Sequence, residues 1–69
     1  MRKYLVIFEK AANNYSAYSP DLPGCVATGA TREEVEKNIR EAISFHIEGL
    51  LADGLPLPEQ GSFTEYIEV

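Results

Sequence analysis

One long amphipathic helix, predicted for residues 31–53, limits what the rest of this 69-residue chain can form. Thr31 is a good N-cap and Glu34 lies three residues later, so that T-R-E-E makes a capping box. Gly54 suits the left-handed residue that ends a helix, and Pro56 prevents its continuation. A helix of roughly 21 residues is about 30 Å long, enough to lie across a small sheet. Apolar positions recur at helical spacing at Val35, Ile39, Ala42, Ile43, His46, Ile47, Leu50 and Leu51.

Turn signals divide the remaining chain into short segments that are typical of β-strands. Turns are predicted at Ala11–Asn14 and Asp21–Gly24, where asparagine, proline and glycine supply the backbone angles that tight turns need. The predicted strands are Lys3–Glu9, Tyr15–Ser19, Cys25–Thr28 and residues 63–69. The sequence therefore predicts an α+β domain of order β-β-β-α-β over residues 1–69. Its long helix would lie on one face of a small, mostly antiparallel sheet.

The first predicted strand, Lys3–Glu9, is apolar on both of its alternating faces. One helix covers only one face of a sheet, so something else must cover the other. A chain this short also buries only about 60% of its unfolded surface on folding. We therefore predict a homo-oligomer, either a dimer or a tetramer, in which another copy covers the second face or an edge of the sheet.

Charge narrows the range of partners. The net charge is −5, and residues 32–69 hold three basic and nine acidic side chains, a net of −6. Nucleic-acid binding depends largely on Lys and Arg that neutralise phosphates, so a chain without a basic cluster is a poor candidate for it. A basic protein partner is electrostatically more suitable, although the charge also has an ordinary role in solubility.

The sequence carries no recognised catalytic or metal-binding pattern. Cys25 is the only cysteine and is most simply a small buried apolar residue. No Cys/His spacing suggests zinc, and no Ser-His-Asp or Cys-His signature suggests a nucleophile. The apolar run Tyr4–Phe8 is too short for a signal peptide or a membrane span. We predict a cytoplasmic protein without a metal or cofactor, which is not an enzyme.

Several stretches together resemble the HicB-like antitoxin family of type II toxin–antitoxin systems. They are Y-S-P-D-L-P-G-C at 18–25, T-G-A-T-R-E-E at 28–34, E-A at 41–42, E-G-L-L at 48–51 and L-P-L-P-E at 55–59. The resemblance covers nearly the whole chain and implies a partial ribonuclease H-like fold of β-β-β-α-β order. It also implies an antitoxin that binds a small basic HicA-like toxin and blocks its RNA-cleaving site.

Family members usually carry a C-terminal DNA-binding segment, whereas this sequence stops at Val69, directly after the last predicted strand. We therefore expect no direct DNA binding by this chain. The alternative is a solitary HicB-like oligomeric module that binds or regulates without a toxin. Nuclease activity is not expected, because two-metal cleavage needs converging carboxylates and the first strand offers none within it.

The expected partner surface combines the Asp21–Gly24 turn with the acidic side of the helix. Phe45, beside acidic residues, is an aromatic anchor candidate, with packing at the edge of the core as the alternative. Tyr15 and Tyr18 point to opposite faces of their strand, and either could be core or contact; His46 is a boundary histidine. The full set of partner-binding candidates is Tyr18, Asp21, Leu22, Pro23, Gly24, Glu34, Glu41 and Phe45.

Overall fold

The computed structural model describes residues 2–69, in which one helix packs on a three-stranded antiparallel sheet. The elements follow the chain as β1 (Ile7–Lys10), β2 (Tyr15–Tyr18), β3 (Val26–Gly29) and α1 (Arg32–Ala52). The sheet order is β1-β2-β3, so β1 and β3 form its two edges. This arrangement confirms the predicted α+β class. No helix within residues 2–69 combines the length and apolarity needed to cross a membrane.

β1 is shorter at its start than predicted, because β2 is too short to pair with all of it. Ile7 lies opposite Tyr18, at the end of β2, and Lys10 lies opposite Tyr15. Beyond Tyr18 the chain turns at Pro20, so no part of β2 remains to pair with residues 3–6. Those residues continue past the sheet without a strand partner among residues 2–69.

The predicted fourth strand is also corrected by the structure. Residues 63–69 belong to no strand, and their side chains are exposed. The sequence pattern of alternating residues is present there, but strand formation requires a neighbouring backbone to bond with. Within residues 2–69 no such neighbour lies beside this segment.

The helix begins and ends as its sequence predicts. The Thr31 hydroxyl accepts a hydrogen bond from the Glu34 amide at 3.1 Å, and the Glu34 carboxylate accepts one from the Ala30 amide at 3.0 Å. At the other end, the Leu55 amide donates to the Leu50 carbonyl at 2.9 Å, with Gly54 at φ 68°. Two reciprocal bonds at the start and a Schellman motif at the end set the length of α1.

The core lies between α1 and the helix-facing side of the sheet. Its buried members are Ala17, Leu22, Cys25, Val35 and Ile39. Since Ala17 faces the helix, alternation along β2 directs Tyr15 to the same side, where it packs against the core, and Tyr18 to the opposite side. The prediction that Cys25 is a small buried apolar residue is confirmed.

α1 runs back along β3, in the opposite direction to the strand. A Cβ atom built on Gly29, the last residue of β3, would meet the backbone nitrogen of Val35 at 2.5 Å. One turn further along, the Asn38 side-chain amide donates to the carbonyl of Thr28 at 2.8 Å. Later residues on this side of α1 therefore lie progressively towards the beginning of β3.

Candidate functional site

A stripe of exposed and half-buried side chains follows α1 on the side next to β3. Its members Glu34, Asn38, Glu41 and Phe45 are spaced by four, three and four residues, which places them on one side of a helix. Asn38 bonds to β3, so the stripe borders that edge strand. We call these four residues the β3 flank. Phe45 is 78% exposed, so its ring is available for contact with a partner.

The two glutamates of the flank differ in their contacts: the carboxylate of Glu34 accepts a hydrogen bond within the chain, whereas Glu41 is exposed to solvent. The carboxylate of Glu34 already accepts the Ala30 amide, so it serves the start of the helix as well as adding negative charge. Glu41 is exposed in the middle of the flank, between Asn38 and Phe45. The flank therefore offers negative charge beside an exposed aromatic ring, a combination suited to a basic partner.

The Asp21–Gly24 turn contains both core and surface residues. Leu22 is completely buried, so its assignment to a partner surface is wrong; its side chain holds the turn onto the core. Pro23 and Gly24 are exposed, and Gly24 has φ 82°, a backbone angle that favours glycine. The turn leads into β3, so Pro23 and Gly24 lie at the end of β3 towards which Glu41 and Phe45 extend.

Asp21 makes contacts within the chain that the sequence did not indicate. Its carboxylate accepts hydrogen bonds from the Ser62 hydroxyl at 2.8 Å, from the Ser62 amide at 3.2 Å and from the Gly61 amide at 3.3 Å. These bonds hold the pKa of Asp21 below its ordinary value, chiefly through the Ser62 hydroxyl. We call this contact the Asp21 latch. No local signal predicts it, since the bonded residues are about 40 positions apart.

Tyr18 lies apart from the β3 flank. It is opposite Ile7 on one side and Val26 on the other, and directly opposed residues share a face of the sheet. These three residues form a row on the face away from α1, where Tyr18 is 37% and Val26 66% exposed. The structure therefore separates Tyr18 from Glu34, Glu41 and Phe45, which the sequence analysis had grouped with it.

A groove lies at the opposite edge of the sheet, between β1 and α1. It has a volume of about 540 Å³ and is open to solvent, and it runs beside the N-terminal residues Arg2 to Phe8. Ile39 and Ile43 form its helix side. We call it the β1 groove. Sequence reasoning missed it because the groove exists only where the unpaired part of the first strand faces the helix.

Among residues 2–69, no three His, Cys, Asp or Glu side chains are grouped so that they could hold a metal ion. Cys25 is buried, and burial raises the pKa of its thiol, which lowers the population of the nucleophilic thiolate. His46 is half-buried on the helix side that faces the sheet.

These features define a small α+β module with one capped helix on a three-stranded antiparallel sheet whose two edges are both accessible. The family description "HicB_like antitoxin of bacterial toxin-antitoxin system" matches residues 4–69. The chain belongs to the HicB-like antitoxin family, which confirms the resemblance found in its sequence.

The chain is also similar in sequence to individual proteins of a phage and of a bacterium. The chain is 44% identical over 64 residues to an uncharacterized 14.9 kDa protein of Haemophilus phage HP1, covering 93% of this chain and 48% of that protein. It is 41% identical over 64 residues to a UPF0150 protein of Helicobacter pylori, covering 91% and 89% of the two chains. The chain thus spans about half the length of the phage relative.

A solved structure shares the fold. A chain of the HicA3 and HicB3 toxin–antitoxin complex superposes with a TM-score of 0.71 at 35% sequence identity. The match covers 87% of this chain and 70% of that chain. The arrangement of three strands and one long helix is therefore the one that this structural relative has.

Proposed function

We propose that this chain is a non-enzymatic antitoxin that binds and neutralises a small basic, RNA-cleaving toxin of the HicA type. Membership of the HicB-like antitoxin family and likeness to a chain of a HicA3–HicB3 complex support this proposal. The observation that carries it is the β3 flank, where an exposed phenylalanine is set among carboxylates beside an edge strand.

The physical properties of the flank suit a toxin of this kind. A protein whose substrate is RNA is expected to be basic, because it must attract phosphates. Residues 32–69 carry a net charge of −6, and Glu34 and Glu41 of that region flank the contact surface. Charge complementarity raises the association rate and the specificity, while a buried aromatic anchor supplies a large share of the binding energy.

We place the toxin contact on the β3 flank together with Pro23 and Gly24. Pro23, Gly24, Glu41 and Phe45 are exposed, and Glu41 and Phe45 extend along α1 towards the beginning of β3, which the turn enters. Tyr18 lies on the face of the sheet away from α1. A toxin bound at the β3 flank would contact Tyr18 only if the toxin also extended around the β3 edge onto that face. Leu22 supports the turn from beneath and takes no part in the contact.

The test is co-expression with a basic toxin-like protein encoded beside this chain, followed by co-purification and a growth assay. Phe45→Ala should weaken the complex by about 2 kcal/mol if Phe45 becomes a buried anchor. Leu51→Ala is the matched control, because Leu51 is also an exposed apolar residue of α1 but lies outside the flank. The control should bind and rescue growth as the unchanged chain does.

One result would contradict the proposed function, and another would contradict only its assignment to the β3 flank. If the unchanged chain forms no complex and does not restore growth, the antitoxin function fails, and a solitary binding or regulatory module takes its place. If a complex forms but Phe45→Ala and Leu51→Ala affect it equally, the function stands and the β3 flank is not its surface.

A further inference from the structure

The C-terminal segment, residues 63–69, exposes more apolar surface than a solvated tail requires. Its large side chains are fully or largely exposed; they are Phe63, Tyr66, Ile67 and Val69. They belong to an alternating sequence, F-T-E-Y-I-E-V, which has the residue types that favour strands. Within residues 2–69 its backbone has no hydrogen-bond partner.

The β1 edge offers the backbone hydrogen-bond partners that the C-terminal segment lacks. Residues 2–6 make no backbone hydrogen bond to any other part of residues 2–69, so the edge presents free donors and acceptors before Ile7. Tyr4, Val6 and Phe8 all line the groove between this edge and α1. A strand laid along the edge would bond to its backbone and place alternate side chains into the groove.

Charge at the groove has the sign opposite to that of the segment. Arg2, Lys3 and Arg40 line the groove, and Glu36 is paired with Arg40 at 2.8 Å. The segment itself carries two acidic residues and no basic one. The groove therefore has a positive excess where the segment is negative, which favours their association.

We propose that the C-terminal segment of a second copy of this chain pairs with the β1 edge and fills the β1 groove. The exchange is reciprocal, so that each copy gives its segment to the other and the pair closes as a twofold dimer. Each sheet then gains a fourth strand, which comes from the partner copy.

The alternation of the segment suits this position. Phe63, Glu65, Ile67 and Val69 lie on one side of an extended strand, and this side would enter the groove, whose lining combines apolar residues with Arg2, Lys3 and Arg40. Tyr66 lies on the other side and would continue the row of Ile7, Tyr18 and Val26 across the open face of the sheet. Both faces of the added strand would thus have apolar neighbours.

The exchange buries a substantial apolar area. A Phe63 ring covered in the groove buries roughly 150–250 Å², and the reciprocal exchange doubles that area. Ile67, Val69, the partly covered Tyr66 and the paired backbones add to it, towards the ~1,000 Å² that a specific interface needs.

The Asp21 latch explains why we assign the groove to a second copy. It holds Ser62 at the turn that follows β2, one residue before the segment begins. From that anchor the segment extends into solvent, and its large side chains leave the groove of its own chain uncovered.

The first experiment measures the mass of the full chain by sedimentation at micromolar concentration. The unchanged chain should sediment at twice 7.7 kDa, and the double variant Phe63→Asp, Ile67→Asp at 7.7 kDa. Phe45→Asp is the control, because Phe45 is exposed to a similar degree but lies on the β3 flank; it should remain a dimer. Circular dichroism should show unchanged helix content in all three proteins.

The second experiment asks whether the segment crosses between chains. A ¹⁵N-labelled Glu65→Cys chain is mixed with an unlabelled Ser44→Cys chain, since Ser44 lies at the groove and residue 65 is on the side of the segment that would face it, and a short bismaleimide is added. A covalent product of one labelled and one unlabelled chain is expected. The chain without these substitutions controls for Cys25, which is buried.

A monomeric unchanged chain, or a double variant that remains a dimer, would overturn the proposal. So would a chain carrying both cysteines that cross-links only within itself, since its own segment would then fill the groove. These outcomes are independent of toxin binding, which is measured at Phe45 on the opposite edge of the sheet.

Discussion

At the scale of single residues, Asp21 shows how one side chain fixes the course of a distant segment. Its three hydrogen bonds from Gly61 and Ser62 are made over about 40 residues of sequence. Tyr4 acts similarly, since its hydroxyl donates to the Pro58 carbonyl at 2.8 Å. These two contacts tie the chain after α1 to the end of the sheet, and they determine where residues 63–69 leave the surface.

The Asp21 latch should open in acid. The Ser62 hydroxyl and the two amides keep the pKa of Asp21 below 3.8, so the ionised carboxylate favours the latched state. The stabilisation is therefore complete above about pH 4 and is lost as the pH falls through the lowered pKa. The amide resonances of Gly61 and Ser62 should titrate together in this acidic range.

Asp21→Asn is the control for this titration. It keeps the shape of the side chain but removes the charge, so the acid transition of the Gly61 and Ser62 resonances should disappear. If the two amides titrate in this variant as they do in the unchanged chain, a group other than Asp21 controls them.

At the scale of elements, the close approach of α1 to β3 depends on a glycine. Gly29 ends β3 where the backbone of Val35 leaves no room for a side chain. The same contact sets the direction of the helix, because the next turn places Asn38 on the Thr28 carbonyl. The position of the β3 flank beside the edge strand follows from this packing.

Two glycine substitutions should have opposite effects on stability. Gly29→Ala forces a methyl group against the Val35 backbone and should destabilise the fold by about 1–3 kcal/mol. Gly49→Ala adds a methyl group inside α1 with nothing within 4 Å, and should stabilise by about 1 kcal/mol through helix propensity.

Urea unfolding of both variants at the same protein concentration measures these effects. Equal concentration matters because the stability of a dimer depends on it. A Gly29→Ala chain as stable as the unchanged one would show that α1 and β3 are not in close contact at this point.

At the scale of the whole molecule, charge of opposite sign lies at the two edges of the sheet. Arg2, Lys3 and Arg40 line the β1 groove, whereas Glu34 and Glu41 lie on the β3 flank. Under the two proposals, a basic toxin would be attracted to the β3 side, and the acidic C-terminal segment to the β1 side. The proposed toxin contact and the proposed dimer contact use different edges, so both could form at once.

Glu41→Lys should slow association with a basic toxin and make it less sensitive to salt. The change reverses one charge at the proposed contact, and screening by salt weakens what attraction remains. Glu59→Lys makes the same charge change at an exposed position outside the flank. Association rates measured by surface plasmon resonance at several salt concentrations should separate the two variants; equal effects would mean that only net charge matters.

Local chemistry made the helix and the turns predictable. Thr31 and Glu34 lie three residues apart, and Gly54 needs only its neighbours Leu50 and Leu55 to complete the Schellman motif. The buried character of Cys25 followed from the ordinary behaviour of a free cysteine. The sequence also carried enough of the family pattern for its family to be recognised.

The assignment of Leu22 failed for a physical reason. It lies in a turn between exposed positions, and only the packing of α1 onto the sheet shows that this side chain points inwards. Phe45 presents the opposite case, since the helix pattern left it between core and surface and the structure exposes it. Burial at such positions depends on neighbours that are distant in sequence.

The amino-acid sequence by itself determined the capped helix, the strand-rich segments and the alternating pattern of residues 63–69, because each depends on residues a few positions apart. Only the tertiary structure decided the extent of the sheet, the Asp21 latch and the separation of Tyr18 from the β3 flank. A strand exists only where another backbone meets its donors and acceptors, and a surface only where packing leaves side chains uncovered. Both conditions depend on contacts across the fold.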